Sequence, residues 1–167
     1  MNPPSIPAAD PPRHSEPVAA ALSALAHHLQ AMPPVAALQL RIDGFDGHCL
    51  RLHAPLAAHV NDKGCAFGGS LASLMTLAAW GVVTLRMHAA GLEADVFVAQ
   101  SQVRYRAPLF ADLAVQARMA DDADWDAFLV EFRQRGRAGI ELDACVRLPD
   151  GGIAAECRAR FVAVGKG

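Results

Sequence analysis

The chain has 167 residues, 53% of them hydrophobic and 19% charged, a balance typical of a one-domain globular protein and not of a disordered chain. Its formal net charge of −2, without a basic stretch that carries interleaved aromatic residues, argues against nucleic acid as a partner. Four widely spaced cysteines without a CxxC pair, and seven histidines without HExxH, argue against a disulfide framework and against a metal site.

The N-terminal part divides into two predicted segments. Residues 1–16 are rich in proline, lack the apolar core of a signal peptide and predict a disordered tail. Residues 17–34 predict a helix with an apolar stripe formed by Leu22, Leu25 and Leu29. Pro33-Pro34 is the expected stop of this helix.

Two short strands are predicted next, because apolar and polar residues alternate. The first runs through Leu38, Leu40 and Ile42, and the second spans residues 48–53. Residues 44–47 supply the turn between them.

The strongest helix signal covers residues 71–90 and follows a glycine-rich loop at residues 61–70. Gly91 is the expected C′ residue. The helix is apolar nearly all round, so it has to be enclosed by other elements. Because Arg86 ends the apolar run before about 18 residues, we expect no membrane span and a cytoplasmic protein.

Beyond Gly91 the sequence predicts strands only. Alternation marks residues 96–106, 113–119, 140–148 and 153–161 as strands, with a hairpin turn at 149–152. Residues 121–126 predict a connection with a helical turn. Arg133, Arg135 and Arg137 predict a solvated hairpin tip, or else a site for pyrophosphate. The order predicts an α+β protein in which one antiparallel sheet wraps around one helix. No βαβ repeat and no GxGxxG or P-loop is present, which disfavours a nucleotide-binding parallel sheet.

Two segments carry a family resemblance. Residues 61–74, NDKGCAFGGSLASL, resemble the signature of the YiiD-type thioesterases of the hotdog superfamily, and residues 101–108, SQVRYRAP, resemble that family's S-x-x-R-Y-x-x-P strand end. The resemblance extends over residues 35–164 and implies a hotdog domain there, with an antiparallel sheet wrapped around a long central helix.

The same resemblance implies the substrate and the assembly. It implies acyl thioesters of coenzyme A or acyl-carrier protein as substrates, and no other cofactor. Hotdog proteins pair into a dimer or a dimer of dimers, with sites between the loop and helix of one subunit and a strand of its neighbour. A thin sheet with an unpaired edge gives an independent reason to expect a homo-oligomer.

The PaaI-like relatives allow a comparison at the site. They carry an asparagine six residues before His-Gly-Gly, and a carboxylate on the helix that follows. Asn61 matches the asparagine, Phe67-Gly68-Gly69 replaces His-Gly-Gly, and Thr76 stands at the acidic position. Threonine cannot serve as nucleophile or base without an activating partner, and Asp62 and Asp95 are the only carboxylates offered as substitutes.

The candidate catalytic residues are therefore Asn61, Gly69 and Thr76. Backbone N–H groups at the helix start would polarise a carbonyl, or else Gly68 and Gly69 only turn the chain tightly before the buried helix. Asn61 would orient water or the carbonyl, or else form an Asx-turn; Thr76 would place water, or bond back to its own helix. The candidate substrate-binding residues are Lys63, Gly64, Phe67, Gly68, Ser70, Ser101, Arg104 and Tyr105. Phe67 would line an acyl pocket or plug the core, and Arg104 would meet a phosphate or lie on a solvated face.

These residues are compatible with three functions. The first is an acyl-thioester hydrolase, and the second is a non-catalytic acyl-thioester-binding module that lacks the helix carboxylate. The third, a hydratase or dehydratase, needs a catalytic histidine. It is disfavoured because residues 61–70 contain no histidine and His88 lies near the far end of the helix.

Overall fold

The computed structural model describes residues 16–166. Apart from Glu16, the predicted tail at residues 1–16 lies outside this range. The elements, in chain order, are α1 (Glu16–Gln30), α2 (Pro33–Ala36), β1 (Arg41–Phe45), β2 (Leu50–Ala54), a 3-10 turn (Leu56–Ala58), α3 (Gly68–Ala89), β3 (Ala94–Tyr105), β4 (Leu113–Met119), α4 (Trp125–Arg135), β5 (Arg137–Arg147) and β6 (Ile153–Gly165).

The six strands form one antiparallel sheet in the order β1-β2-β4-β5-β6-β3. Alternate side chains of β2, β4 and β5 are buried on the face that packs against α3. The predicted α+β class, with a sheet wrapped around one long helix, is confirmed. The order leaves the short strand β1 at one edge and the 12-residue strand β3 at the other.

The central helix α3 is enclosed, as its composition predicts. Eleven of its residues are buried under the sheet and α1. By length and composition α3 is long and apolar enough to cross a membrane, but its apolarity is accounted for by its place in the core. Gly81 allows the helix to pack closely there, because a Cβ at this position would lie 2.5 Å from Leu50 on β2 and 3.4 Å from Leu25 on α1.

The expectation of strands alone beyond Gly91 is wrong, since residues 125–135 form the helix α4. Asp124 caps its start by accepting a hydrogen bond from the N–H of Ala127 at 3.0 Å, and Gly136 ends it at φ +66°. The predicted hairpin tip is therefore wrong as well. Two of its three arginines lie in the last turn of α4, and the third begins β5.

The helix and strand ends differ locally from the prediction. The predicted helix 17–34 is shorter in the structure, since α1 ends at Gln30, and Pro33-Pro34 begin α2 because proline is favoured in a first helical turn. The first strand begins at Arg41 because Gln39, at φ +50°, turns the chain before it. The predicted C′ position of Gly91 on α3 is confirmed by its φ of +67°.

Candidate functional site

The start of α3 is the centre of the candidate site. Phe67 stands at the N-cap position with extended backbone and no capping side chain, and the first helical bond runs from the N–H of Leu71 to the carbonyl of Phe67. Within residues 16–166, the N–H groups of Gly68, Gly69 and Ser70 have no hydrogen-bond acceptor. Three free donors at the positive end of a 22-residue helix are suited to bind a carbonyl oxygen or an oxyanion.

Two aromatic rings flank the glycine pair. The hydroxyl of Tyr105, at the end of β3, donates a hydrogen bond to the carbonyl of Gly68 at 3.1 Å. A Cβ on Gly68 would lie 3.3 Å from the Tyr105 ring, and a Cβ on Gly69 would overlap the ring of Phe67. Both rings are more than half exposed, so the glycine backbone between them is open to a ligand.

Asn61 braces the loop that precedes the helix. Its side-chain oxygen accepts hydrogen bonds from the N–H groups of Lys63 at 2.8 Å and Cys65 at 3.2 Å, as in an Asx-turn. Its amide nitrogen lies 3.3 Å from the sulfur of Cys65. Gly64, at φ +77°, donates its N–H to the carbonyl of Asn61. The structure thus engages the side chain of Asn61 in holding the loop.

The loop is tied to the core at its far end. The N–H of Ala66 donates to the carbonyl of Leu109 at 2.8 Å, and that of Phe67 donates to the carbonyl of His59 at 2.7 Å. His59 is 3% exposed, and its Nε2 lies 2.7 Å from the carbonyl oxygen of Leu38. Sequence reasoning missed this buried histidine, because only the tertiary structure places Leu38 beside it.

Three other predicted residues make no hydrogen bond to the helix start within residues 16–166. The ammonium of Lys63 lies 2.8 Å from the carboxylate of Asp62, and both side chains extend into solvent. Asp95 lies ten residues before Tyr105 on β3, which is about 34 Å along an extended strand. Asp95 is therefore far from the start of α3 within this chain, and the carboxylate of Asp62 is held in a solvent-exposed ion pair.

Ser101 and Arg104 lie on opposite faces of β3. Ser101 is paired with the buried Ala159 and so lies on the face towards α3, as Tyr105 does. Arg104 is paired with Glu156 on the outer face, where it lines a separate cavity of about 640 Å³. The structure does not bring Arg104 to the glycine pair.

Thr76 lies seven residues into α3 beyond Gly69. Its hydroxyl donates to the carbonyl of Ala72 at 2.9 Å, the back-bonded arrangement common for threonine within helices. The side chain lines an apolar groove between α1, α3 and β3. Ser70 is almost fully buried in the first turn of the helix.

A family model described as "Putative thioesterase (yiiD_Cterm)" matches residues 22–165. The chain belongs to this family. The match covers the loop, the central helix, every strand of the sheet and most of α1. It confirms the resemblance seen in residues 61–74 and 101–108.

Solved structures, two of them described as a putative or a probable thioesterase, share the architecture. A Shewanella oneidensis protein described as a "putative thioesterase" is 28% identical, with a TM-score of 0.77 over 87% of this chain and 99% of that chain. A protein of unknown function from Chlorobaculum tepidum is 24% identical, with a TM-score of 0.83 over 89% of this chain and 97% of that chain.

A third structure, from Pseudomonas aeruginosa and described as a "Probable Thioesterase", is 22% identical with a TM-score of 0.74 over 86% of this chain and 95% of that chain. The predicted hotdog fold is confirmed by these neighbours. A search of the curated proteins returns no match.

Proposed function

We propose that this thioesterase-family protein hydrolyses acyl thioesters of coenzyme A or acyl-carrier protein, and that it binds the thioester carbonyl at the start of α3. One observation carries the proposal. The N–H groups of Gly68, Gly69 and Ser70 lie at the start of a long helix and have no acceptor in the described part of the chain. The first two of these residues also lack Cβ. Such donors stabilise the oxyanion that forms when a thioester is attacked.

Hydrolysis exchanges the sulfur of the thioester for an oxygen of water. As the new C–O bond forms, the carbonyl electron pair moves to oxygen, where the N–H groups of Gly68 and Gly69 would bind the negative charge. The C–S bond then breaks, and the thiolate takes up a proton released by water. The products are a free acid and the thiol of the carrier. Tyr105 and Asn61 hold the helix start and its loop in place for this step.

The edge strand β3 supports a homodimer as the active unit. Its far side has no neighbouring strand within residues 16–166, and it exposes Phe97 and Val98, which are 57% and 48% accessible. A long unpaired edge with apolar side chains is a template for pairing with another strand. Antiparallel pairing of two β3 strands would continue the sheet and bring a second subunit next to Tyr105.

A second function, binding of acyl thioesters without hydrolysis, is favoured by Thr76. Its hydroxyl is committed to Ala72 and stands where related enzymes carry a carboxylate, while Asp62 is paired with Lys63 in solvent. The helix start would then bind the carbonyl without activating a water molecule. Turnover distinguishes the two functions, because both require binding.

The test is thiol release from a panel of acyl-CoA and acyl-carrier-protein thioesters. We expect Asn61→Ala to lower kcat/KM at least tenfold, because two hydrogen bonds that hold the loop are lost. Asp62→Ala, in the same loop but paired only with exposed Lys63, is the matched control and should stay within twofold. No turnover on any thioester, together with a raised Tm in the presence of acyl-CoA, would overturn hydrolysis and leave the binding function.

A further inference from the structure

An apolar groove of about 730 Å³ runs between α1, α3 and the edge strand β3. Its size is that of a site for a small molecule. The helix α1 forms one wall, with Ala21 and Ala24 facing the groove, and is anchored to the core by Leu25 and Leu29, which are 4% and 0% exposed. The wall is therefore a fixed part of the fold.

Three polar side chains of α3 that line the groove donate their hydrogen bonds within the protein. The hydroxyl of Thr76 donates to Ala72, that of Thr84 donates to Trp80 at 3.0 Å, and the indole N–H of Trp80 donates to the carbonyl of Val96 at 3.0 Å. These side chains thus present methyl groups and an aromatic ring to the groove. An aliphatic ligand fits such a surface, since a polar ligand would lose its hydrogen bonds to water without replacement.

The groove is aligned with the start of α3. Tyr105 contacts Gly68 at one end of the pair formed by β3 and α3, and Trp80 contacts Val96 at the other, so the strand and the helix run antiparallel. Thr76, at the near end of the groove, is seven residues beyond Gly69, or about 10 Å along the helix. A chain of carbon–carbon bonds advances roughly 1.3 Å per carbon, so about eight carbons are needed to reach it.

The far end of the groove sets an upper limit. Thr84 is fifteen residues beyond Gly69, about 22 Å along the helix, or roughly seventeen carbons. Beyond it the lining becomes polar, with His88, Asp95 and Lys166 at the rim. His28 of α1 stacks on Trp80 halfway along, with 5.5 Å between ring centroids, so α1 narrows the groove in its middle.

We infer that this groove binds the acyl chain of the substrate and that α1 is its specificity-determining wall, which selects aliphatic chains of about eight to sixteen carbons. The inference rests on the proposed function, because it takes the thioester to lie at Gly68 and Gly69. A short acyl group such as acetyl, held at the helix start, ends before the groove and gains nothing from it.

The test compares acyl-CoA thioesters from two to sixteen carbons on the full chain. We expect kcat/KM for dodecanoyl-CoA to exceed that for acetyl-CoA at least a hundredfold. Ala24→Trp fills the groove from α1, one helical turn before His28, and should lower kcat/KM for hexadecanoyl-CoA at least tenfold while octanoyl-CoA stays within twofold. Ala20→Trp is the matched control, since Ala20 lies exposed on the same helix outside the groove, and should leave the profile unchanged.

Hydrolysis with equal kcat/KM for acetyl and dodecanoyl thioesters, or equal effects of the two tryptophan variants, would overturn the inference and leave thioester hydrolysis intact. Loss of the oligomer in Ala24→Trp but not in Ala20→Trp, measured by light scattering, would also overturn it, because a second copy would then cover the groove. If no thioester is hydrolysed, calorimetry with dodecanoyl- and acetyl-CoA thioether analogues tests whether the groove binds the acyl chain. Tighter binding of the dodecanoyl analogue, weakened at least tenfold by Ala24→Trp alone, would support the groove although hydrolysis had failed.

Discussion

At the scale of single residues, the glycine pair that opens α3 shows how the site depends on missing side chains. Tyr105 and Phe67 lie so close to Gly68 and Gly69 that a Cβ at either position would press on a ring. The absence of Cβ keeps both the helical backbone and its N–H groups accessible. For the same reason, we expect substitution of either glycine to disturb the site.

Gly69→Ala is expected to lower kcat/KM about a hundredfold, comparable to the loss of one oxyanion donor. The added methyl group would lie 2.4 Å from the ring of Phe67, so the ring or the helix start with its free N–H groups has to shift. Ser73→Ala, at an exposed position one turn further along α3, is the control and should keep wild-type kinetics. Unchanged kcat/KM in Gly69→Ala would show that the carbonyl binds elsewhere.

Asp46 is a residue whose contribution to stability depends on pH. The N–H of Cys49 at 2.7 Å, and then the N–H of His48 and the guanidinium of Arg51, lower the pKa of Asp46 to about 2. Because the folded pKa is below the unfolded value, the stabilisation is present above about pH 4 and is lost as pH falls towards 2.

Asp46→Asn should therefore lower the free energy of unfolding by about 1 kcal/mol at pH 7, a modest value because the side chain is half exposed. Urea unfolding at pH 7 and pH 2.5 measures this, and the difference from wild type should shrink at the lower pH. A difference of equal size at both pH values would contradict the role of the carboxylate charge.

At the scale of elements, the packing of α3 against the sheet depends on Gly81. Alanine is about 1 kcal/mol better than glycine within a helix, but here its Cβ would lie 2.5 Å from the fully buried Leu50. Overpacking of this kind costs about 1–3 kcal/mol, so we expect Gly81→Ala to be destabilising by about 1 kcal/mol net. Thermal unfolding measures it, with Ser73→Ala on the same helix as control. A raised Tm in Gly81→Ala would contradict this, because it would show that Leu50 moves to accommodate the added methyl group.

The helix α4 shows where alternation misleads. Its capping residue Asp124, its C-terminal Gly136 and the pair of Phe128 and Phe132 one turn apart are all present in the sequence. The short helix lies between long strands with clear alternation, and that context favours continued strands. Burial of the two phenylalanines against the core, rather than intrinsic preference, stabilises the helix.

At the scale of the whole molecule, the sheet has two edges, the five-residue strand β1 and the 12-residue strand β3, and the longer edge exposes Phe97 and Val98. We expect a mass of twice 17.7 kDa or a larger even multiple by light scattering. Phe97→Lys should shift the protein towards monomer at micromolar concentration, because a charged residue on an edge strand opposes pairing. Val130→Lys replaces an apolar residue of similar exposure on α4 and should leave the mass unchanged. A wild-type monomer would contradict the proposed dimer.

The sequence by itself determined the class of the fold, because periodicity reports which residues must be buried. The apolar helix and the alternating runs required a sheet around a helix, and the loop motif pointed to the family. Those signals are local in the chain. The folded protein agrees with them because each apolar residue of a periodic run is itself buried.

Only the tertiary structure decided how the site is built. It placed Tyr105 against Gly68, engaged Asn61 in the loop, put Arg104 on the far face of the sheet and brought α1 to the side of the groove. These are relations between segments far apart in sequence. They depend on strand order, register and the packing of helices, none of which a local pattern contains.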